Sequence, residues 1–294
     1  MTSVPFLKGH GTGNDFVLLP DHDASRFGPS LDPATVRGLC DRRRGIGADG
    51  VIRIVRAAAL ATSEPRPAVW FMDYRNADGS LAEMCGNGIR VLVRHLLQAG
   101  LVDPAAATVA IGTRAGTLSV AVRPDGDLSV DMGPPRPGLS GPRVEVEHPA
   151  VSGPGTAVAM PNPHAVVPVA DLDAVGALLA APQVRPSLLF QQGTNVEFVQ
   201  RLSGDHLRMR VWERGVGETQ SCGTGVCAAA WVAMQDDARN GMREAVGDAQ
   251  VTYRVDVPGG TLHVTRDETG SLHLCGPAVI VADGTVDLDA LPAM

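Results

Sequence analysis

The chain of 294 residues suffices for one large domain or for two of about 150 residues each. Its formal charge of −7 is spread without long charge blocks, which argues against a nucleic-acid groove or a membrane-binding face. Five cysteines, Cys40, Cys85, Cys222, Cys227 and Cys275, lack C-x-x-C spacing, so neither a disulfide framework nor a metal site is expected. The opening MTSVPFLKGHGTGNDF turns polar and glycine-rich early, and no apolar run approaches about 18 residues, so the expected location is the cytoplasm. Lys8 is the only lysine, which makes pyridoxal-phosphate chemistry, dependent on a lysine aldimine, unexpected.

In chain order, DFVLLPD (15–21) reads as a strand, LDPATVRGLCDRR (31–43) as a helix, VWFMDYR (69–75) as a strand and IRVLVRHLLQAG (89–100) as a helix. Short strands separated by Gly and Asp-Gly turns follow over 107–135. The second half repeats the order, with the helix VCAAAWVAMQDDARNGM (226–242) ahead of short strands over 249–278. AGTLSVAVRPDGDLSVDMGP and GGTLHVTRDETGSLHLCGP look like copies of one hairpin, and Asn14 and Asn162 each open an apolar strand. AEMCGNGIRVLVRHL and TQSCGTGVCAAAWVAM each set a cysteine at a glycine-rich helix start. Such self-similarity is what an internal duplication leaves. The Pro/Gly-rich stretch 132–142 marks the boundary, and the apolar strand after Gly276 returns to the first half. The expected fold is α+β: two similar, pseudo-twofold-related halves, 1–131 with 277–294 and 132–276, each a curved, mostly antiparallel sheet around a helix, with the active site in the cleft between them.

A thiol at a helix N-terminus meets the positive end of the helix dipole, which is expected to lower its pKa and make it a base near neutrality. The small residues after each cysteine, Gly86-Asn87-Gly88 and Gly223-Thr224-Gly225, leave backbone N–H groups open to a carboxylate. Two such starts imply stereoinversion at an amino-acid α-carbon, in which Cys85 and Cys222 act as base and acid on opposite faces and the helix ends stabilise the developing carbanion. Cys40, Cys227 and Cys275 read as core residues. GHGTGND lacks the strand and helix of a phosphate loop. DRRRGIGADG reads as a solvated basic turn, with an anionic-ligand patch as the second reading.

GHGTGNDFVLL, DRRRGIGADG, YRNADGSLAEMCGNGIR, NPHAVV, TNVEFV and WERGVGETQSCGTG, in this order over essentially the whole chain, resemble the diaminopimelate epimerases. NADGS and ERGVGET separate that family from the proline racemases, which share the cysteine motifs. The resemblance implies interconversion of LL- and meso-2,6-diaminopimelate, on the route to lysine and peptidoglycan, by a cofactor-independent enzyme that forms a homodimer. It implies Cys85 and Cys222 as catalytic thiols and His164 and Glu213 as modulators of their pKa values. The implied substrate-binding residues are Asn14, Asn76, Gly86, Asn87, Asn162, Asn195, Glu213, Arg214, Gly223 and Thr224. Chemically, Arg214 suits the distal carboxylate, Glu213 an ammonium group, and the asparagine amides both donate and accept. The sequence departs from many relatives at Pro161 and from some at Gly50 and Ala282. The second enzymatic reading is another racemase or a phenazine-type isomerase of the same superfamily; outside enzymes, it is a thiol-based redox sensor.

Overall fold

The structure, a computed structural model, describes residues 3–60, 68–136, 140–242 and 250–292; of the boundary stretch 132–142, residues 137–139 lie outside these. The chain divides into two compact units, Met1–Val130 with Pro277–Met294, and Asp131–Gly276.

The first unit contains β1 (Ser3–Gly11), β2 (Asn14–Pro20), α1 (Pro33–Cys40), β3 (Gly50–Arg56), β4 (Trp70–Asn76), α2 (Gly86–Gln98), β5 (Thr108–Thr113), β6 (Gly116–Val122) and β7 (Leu128–Asp131). The last strand of the chain, β18 (Val279–Asp287), pairs with β1. From β18 through β1 to β7 the strands lie in chain order, and every neighbouring pair is antiparallel except β2–β3 and β4–β5. Each parallel joint needs a crossover, and the one from β4 to β5 is α2. The middle strands read as continuous apolar runs because both sheet faces are covered. Val17, Leu19 and Val51 pack with Leu31, Val36 and Leu39 of the α1 side, whereas Phe16, Ile52 and Met72 lie under Gly88 of α2. GHGTGND is the β1–β2 hairpin, with Thr12 and Gly13 at positive φ.

Helix α1 is shorter than the sequence pattern predicts. Asp32 caps it by accepting from the Thr35 N–H, but Asp41 is already extended. The Asp41 carboxylate takes the N–H groups of Arg43 and Arg44, a local bond that competes with the helix and stops it at Cys40. The sheet is also more mixed than the strand patterns indicate, since periodicity carries no information about strand order.

The second unit contains β8 (Arg143–Glu147), β9 (Gly153–Met160), β10 (Asn162–Pro168), β11 (Gln183–Arg185), β12 (Asn195–Ser203), β13 (His206–Glu213), β14 (Gly217–Thr219), α3 (Gly223–Arg239), β15 (Val251–Val257), β16 (Gly260–Arg266) and β17 (Leu272–Gly276). Its sheet runs β11, β8, β9, β10, β12, β13, β15, β16, β17, with parallel joints at β10–β12 and β13–β15 and antiparallel pairs elsewhere. This is the pairing pattern of the first unit again. Strands β1 to β7 correspond to β9, β10, β12, β13, β15, β16 and β17, helix α2 corresponds to α3, and β18 flanks β1 as β8 flanks β9. Here the face away from α3 is covered by Leu172, Val175 and Leu178, which pack on Ala165, Val167, Val196 and Phe198.

Candidate active site

Each cysteine is the N-cap of its helix. Cys85 is extended at φ −146° and ψ 119°, Cys222 at φ −120° and ψ 110°, and their carbonyls accept the first helical bonds from Ile89 and Val226. Glycines in the first turns let the strands beneath come close. A Cβ on Gly88 would lie 2.8 Å from Met72 Cε, and one on Gly225 would lie 2.6 Å from Glu197 Oε1.

Around Cys85, the Gly88 N–H donates to Sγ at 3.5 Å and the thiol donates to Asn14 Oδ1 at 3.6 Å. Asn87 Nδ2 reaches the same Asn14 oxygen at 3.3 Å, so the predicted residues Asn14, Cys85 and Asn87 form one group. Two features that the sequence reading missed hold it in place. Asn14 Nδ2 donates to Asp49, which with Asp15 is clamped by Arg42, while Lys8 binds Asp15 at 2.5 Å. Burial alone would raise the Asp15 pKa, but hydrogen bonds from Arg42 and Lys8 outweigh it and hold the carboxyl far below its ordinary range. From below, the fully buried Arg90 donates to Asn87 Oδ1 at 2.9 Å and to the Gly86 carbonyl at 3.1 Å, which fixes the first turn of α2. DRRRGIGADG is thus a turn whose Arg42, Arg43 and Arg44 are exposed while Gly47, Ala48 and Gly50 are buried, and in which Arg42 has a structural duty.

Asn76 ends β4, and its amide donates to Ser80 Oγ at 3.0 Å rather than to the cysteine group. Gly50 opens β3 where the Arg75 carbonyl would lie 2.5 Å from any Cβ, so this backbone admits no longer side chain there. Pro161 joins β9 to β10 ahead of Asn162. Ala282 sits on β18 opposite Lys8 and is exposed.

Around Cys222, Sγ lies 3.4 Å from Thr224 Oγ1 and 3.9 Å from Asn195 Nδ2. Asn195 Oδ1 accepts the Arg214 N–H at 3.0 Å, which ties the end of β13 to the cysteine. The Arg214 guanidinium is exposed and touches the Gln192 carbonyl at 3.3 Å. Glu213 accepts from Thr219 Oγ1 at 2.5 Å. His164 bonds Glu197 Oε1 through Nδ1 at 2.7 Å and Asn162 Oδ1 through Nε2 at 3.0 Å. Glu197 carries no signal of its role in the sequence, since in TNVEFV it looks like the polar member of an alternating strand.

The expected fall in thiol pKa is not what Cys222 shows. Burial pushes this thiol well above its ordinary value, the charges of Glu213 and Glu197 add to the rise, and hydrogen bonds from Thr224 and the Gly225 N–H oppose it. Helix-dipole stabilisation is modest, whereas full desolvation and two nearby carboxylates act strongly against a thiolate. Of the other cysteines, Cys40 and Cys227 are buried, and burial pushes Cys40 up to about 12, as suits core thiols; Cys275 on β17 is half-buried.

Among solved structures the chain is similar to a hydroxyproline epimerase from Agrobacterium vitis, with a TM-score of 0.65 and 14% identity over 97% of this chain and 92% of the other. It is also similar to a phenazine biosynthesis protein of the PhzF family from Bacillus anthracis, with a TM-score of 0.61 and 16% identity over 97% and 99%. The fold is therefore the duplicated α+β fold of the racemases, epimerases and PhzF-like proteins. The family model for diaminopimelate epimerase matches residues 6–137 and 156–281. The chain belongs to the diaminopimelate epimerase family. It is 48% identical to the diaminopimelate epimerase of Streptomyces coelicolor over 97% of this chain and 96% of that one, and 48% identical to that of Thermobifida fusca over 97% and 99%.

Proposed function

We propose that the protein interconverts LL- and meso-2,6-diaminopimelate by a cofactor-independent, two-cysteine acid–base mechanism in the cytoplasm, as a homodimer. The observation that supports this best is the pair of cysteine-capped helix starts on matching sheets in a chain of this family. The N–H groups of Gly86-Asn87 and Gly223-Thr224 take the α-carboxylate of the reacting centre. As the α-proton leaves, charge moves onto that carboxylate, and two helix N-termini stabilise it without a cofactor. Inversion requires Cys85 and Cys222 to reach the α-carbon from opposite faces.

Cys222, held as a thiol by burial and its carboxylate neighbours, enters the cycle as the acid, and Cys85 is the base for the stereoisomer whose α-proton faces it. Asn14, Asn76, Asn162 and Asn195 hold the amino and carboxylate groups, Arg214 grips the distal carboxylate, and Glu213 meets an ammonium group. His164 and Glu213 tune the thiols. The test is a coupled assay of the purified protein with diaminopimelate and with proline: turnover of diaminopimelate alone supports this reading, and turnover of proline would make the protein a proline racemase-like enzyme.

A further inference from the structure

Corresponding positions of the two sheets carry different chemistry beneath the two helix starts. In the first unit Phe16 pairs with Gly50 and Leu18 with Ile52 across the parallel joint. In the second, His164 pairs with Asn195 and Val166 with Glu197. Counted from Asn14 and Asn162, His164 stands where Phe16 stands, and Glu197 where Ile52 stands. A Cβ on Gly88 would lie 3.0 Å from Ile52 Cδ1 and 3.4 Å from Phe16 Cζ, whereas one on Gly225 would meet the Glu197 carboxylate. At these two strand positions one cysteine helix start meets apolar side chains and the other a fully buried histidine and glutamate.

A buried carboxylate is costly unless its oxygens are satisfied. Glu197 uses Oε1 on His164, but Oε2 is buried without a hydrogen-bond partner among the described residues. The first unit shows that an apolar pair fills the same place, so packing does not require these groups. We propose that Glu197 is a positioning residue for the epimerisation: it anchors His164 and through it the Asn162 amide, and its charge against the first turn of α3 makes Cys222 the proton donor at the start of a cycle.

The bonding fits. Both nitrogens of the His164 ring face side-chain oxygens, Glu197 Oε1 and Asn162 Oδ1, so the ring links the carboxylate to the amide. The groups acting on Cys222 are Glu213 on β13, Glu197 on β12, the His164 that Glu197 holds on β10, and the Thr224 hydroxyl with the N-terminus of α3. Burial, then Glu213, then Glu197 push the thiol up.

This inference rests on the reading of Cys222 as a catalytic cysteine, and its first readout, alkylation of that thiol, does not depend on turnover. Glu197→Gln keeps the shape and an acceptor for His164 but removes the charge; Glu197→Asp keeps the charge but draws it off His164. Alkylation of Cys222 by iodoacetamide is followed against pH, with peptide mapping to resolve the site. In Glu197→Gln the midpoint is expected to fall by about one pH unit, and the alkaline limb of kcat/KM in the direction where Cys222 donates should fall with it. In Glu197→Asp the midpoint should stay near the parent's while kcat drops about tenfold. A parental midpoint and a parental limb in Glu197→Gln overturn the proposal. If that chain does not fold, Glu197→Asp decides, and an unchanged kcat overturns the proposal. Epimerase activity surviving Cys222→Ser is a different result, which sinks the two-cysteine reading itself.

Discussion

Arg214 is the residue on which substrate choice turns. Its guanidinium is exposed and keeps a 3.3 Å contact to a backbone carbonyl, while its own N–H is fixed by Asn195, so the backbone is set and the fork can turn onto a carboxylate. Arg214→Ala should remove a charge-assisted clamp of about 2–4 kcal/mol, lowering kcat/KM for diaminopimelate by roughly one to three decades with little change in melting temperature. Steady-state kinetics check it, and an intact kcat/KM would remove Arg214 from the binding set. At this scale the sequence is informative where chemistry and spacing coincide, as at Cys85, Cys222 and Asn14. It is silent where a residue acts through burial. Arg90 in a helix, Asp49 in a turn and Glu197 in a strand each look solvated until the fold encloses them or closes a hydrogen bond on them. The same enclosure reverses the expected pKa direction at Cys222, because desolvation depends on everything packed around the thiol and not on its place in the helix.

At the scale of elements, the close approach of β3 to β4 leaves no room beyond the Gly50 backbone. Gly50→Ala sets a Cβ 2.5 Å from the Arg75 carbonyl and 2.6 Å from the Tyr74 ring, and a backbone oxygen in a paired strand cannot swing away. The variant should lose about 1–3 kcal/mol of stability, read by denaturant unfolding, and a melting curve like the parent's would show that the strand pair gives way easily. The duplicated elements are legible in the sequence because helix starts and Gly-turn hairpins are local patterns. The two parallel joints in each sheet are not, since β2–β3 and β10–β12 are joined by long excursions whose ends carry no mark of pairing. The corresponding helix starts come from one local pattern, but the different floors beneath them come from strands distant in sequence.

For the molecule as a whole, acid should be destabilising from near neutrality. Burial lowers the pKa of His95, assisted by His22, and burial with Arg56 lowers that of His22. The folded state therefore binds fewer protons than the unfolded chain below the ordinary histidine value of about 6.5, and stability falls as pH drops through that value. Melting temperatures from pH 8 to 5 should decline, and His95→Leu should flatten the decline; an unchanged slope would exclude His95 as a source. Asp15, with its pKa depressed by Arg42 and Lys8, adds a second loss only below about pH 4.

The central claim is that one chain supplies an acid and a base to opposite faces of one carbon, and isotope labelling tests it most directly. The purified protein is incubated with LL-diaminopimelate in D₂O, and both pools are sampled early. If Cys85 removes the α-proton while a solvent-exchanged Cys222 thiol delivers a deuteron to the other face, the first meso product carries deuterium at the inverted carbon and the remaining LL substrate stays nearly unlabelled. Equal early deuterium in both pools would mean that a single group removes and returns the proton, and would contradict the two-cysteine account.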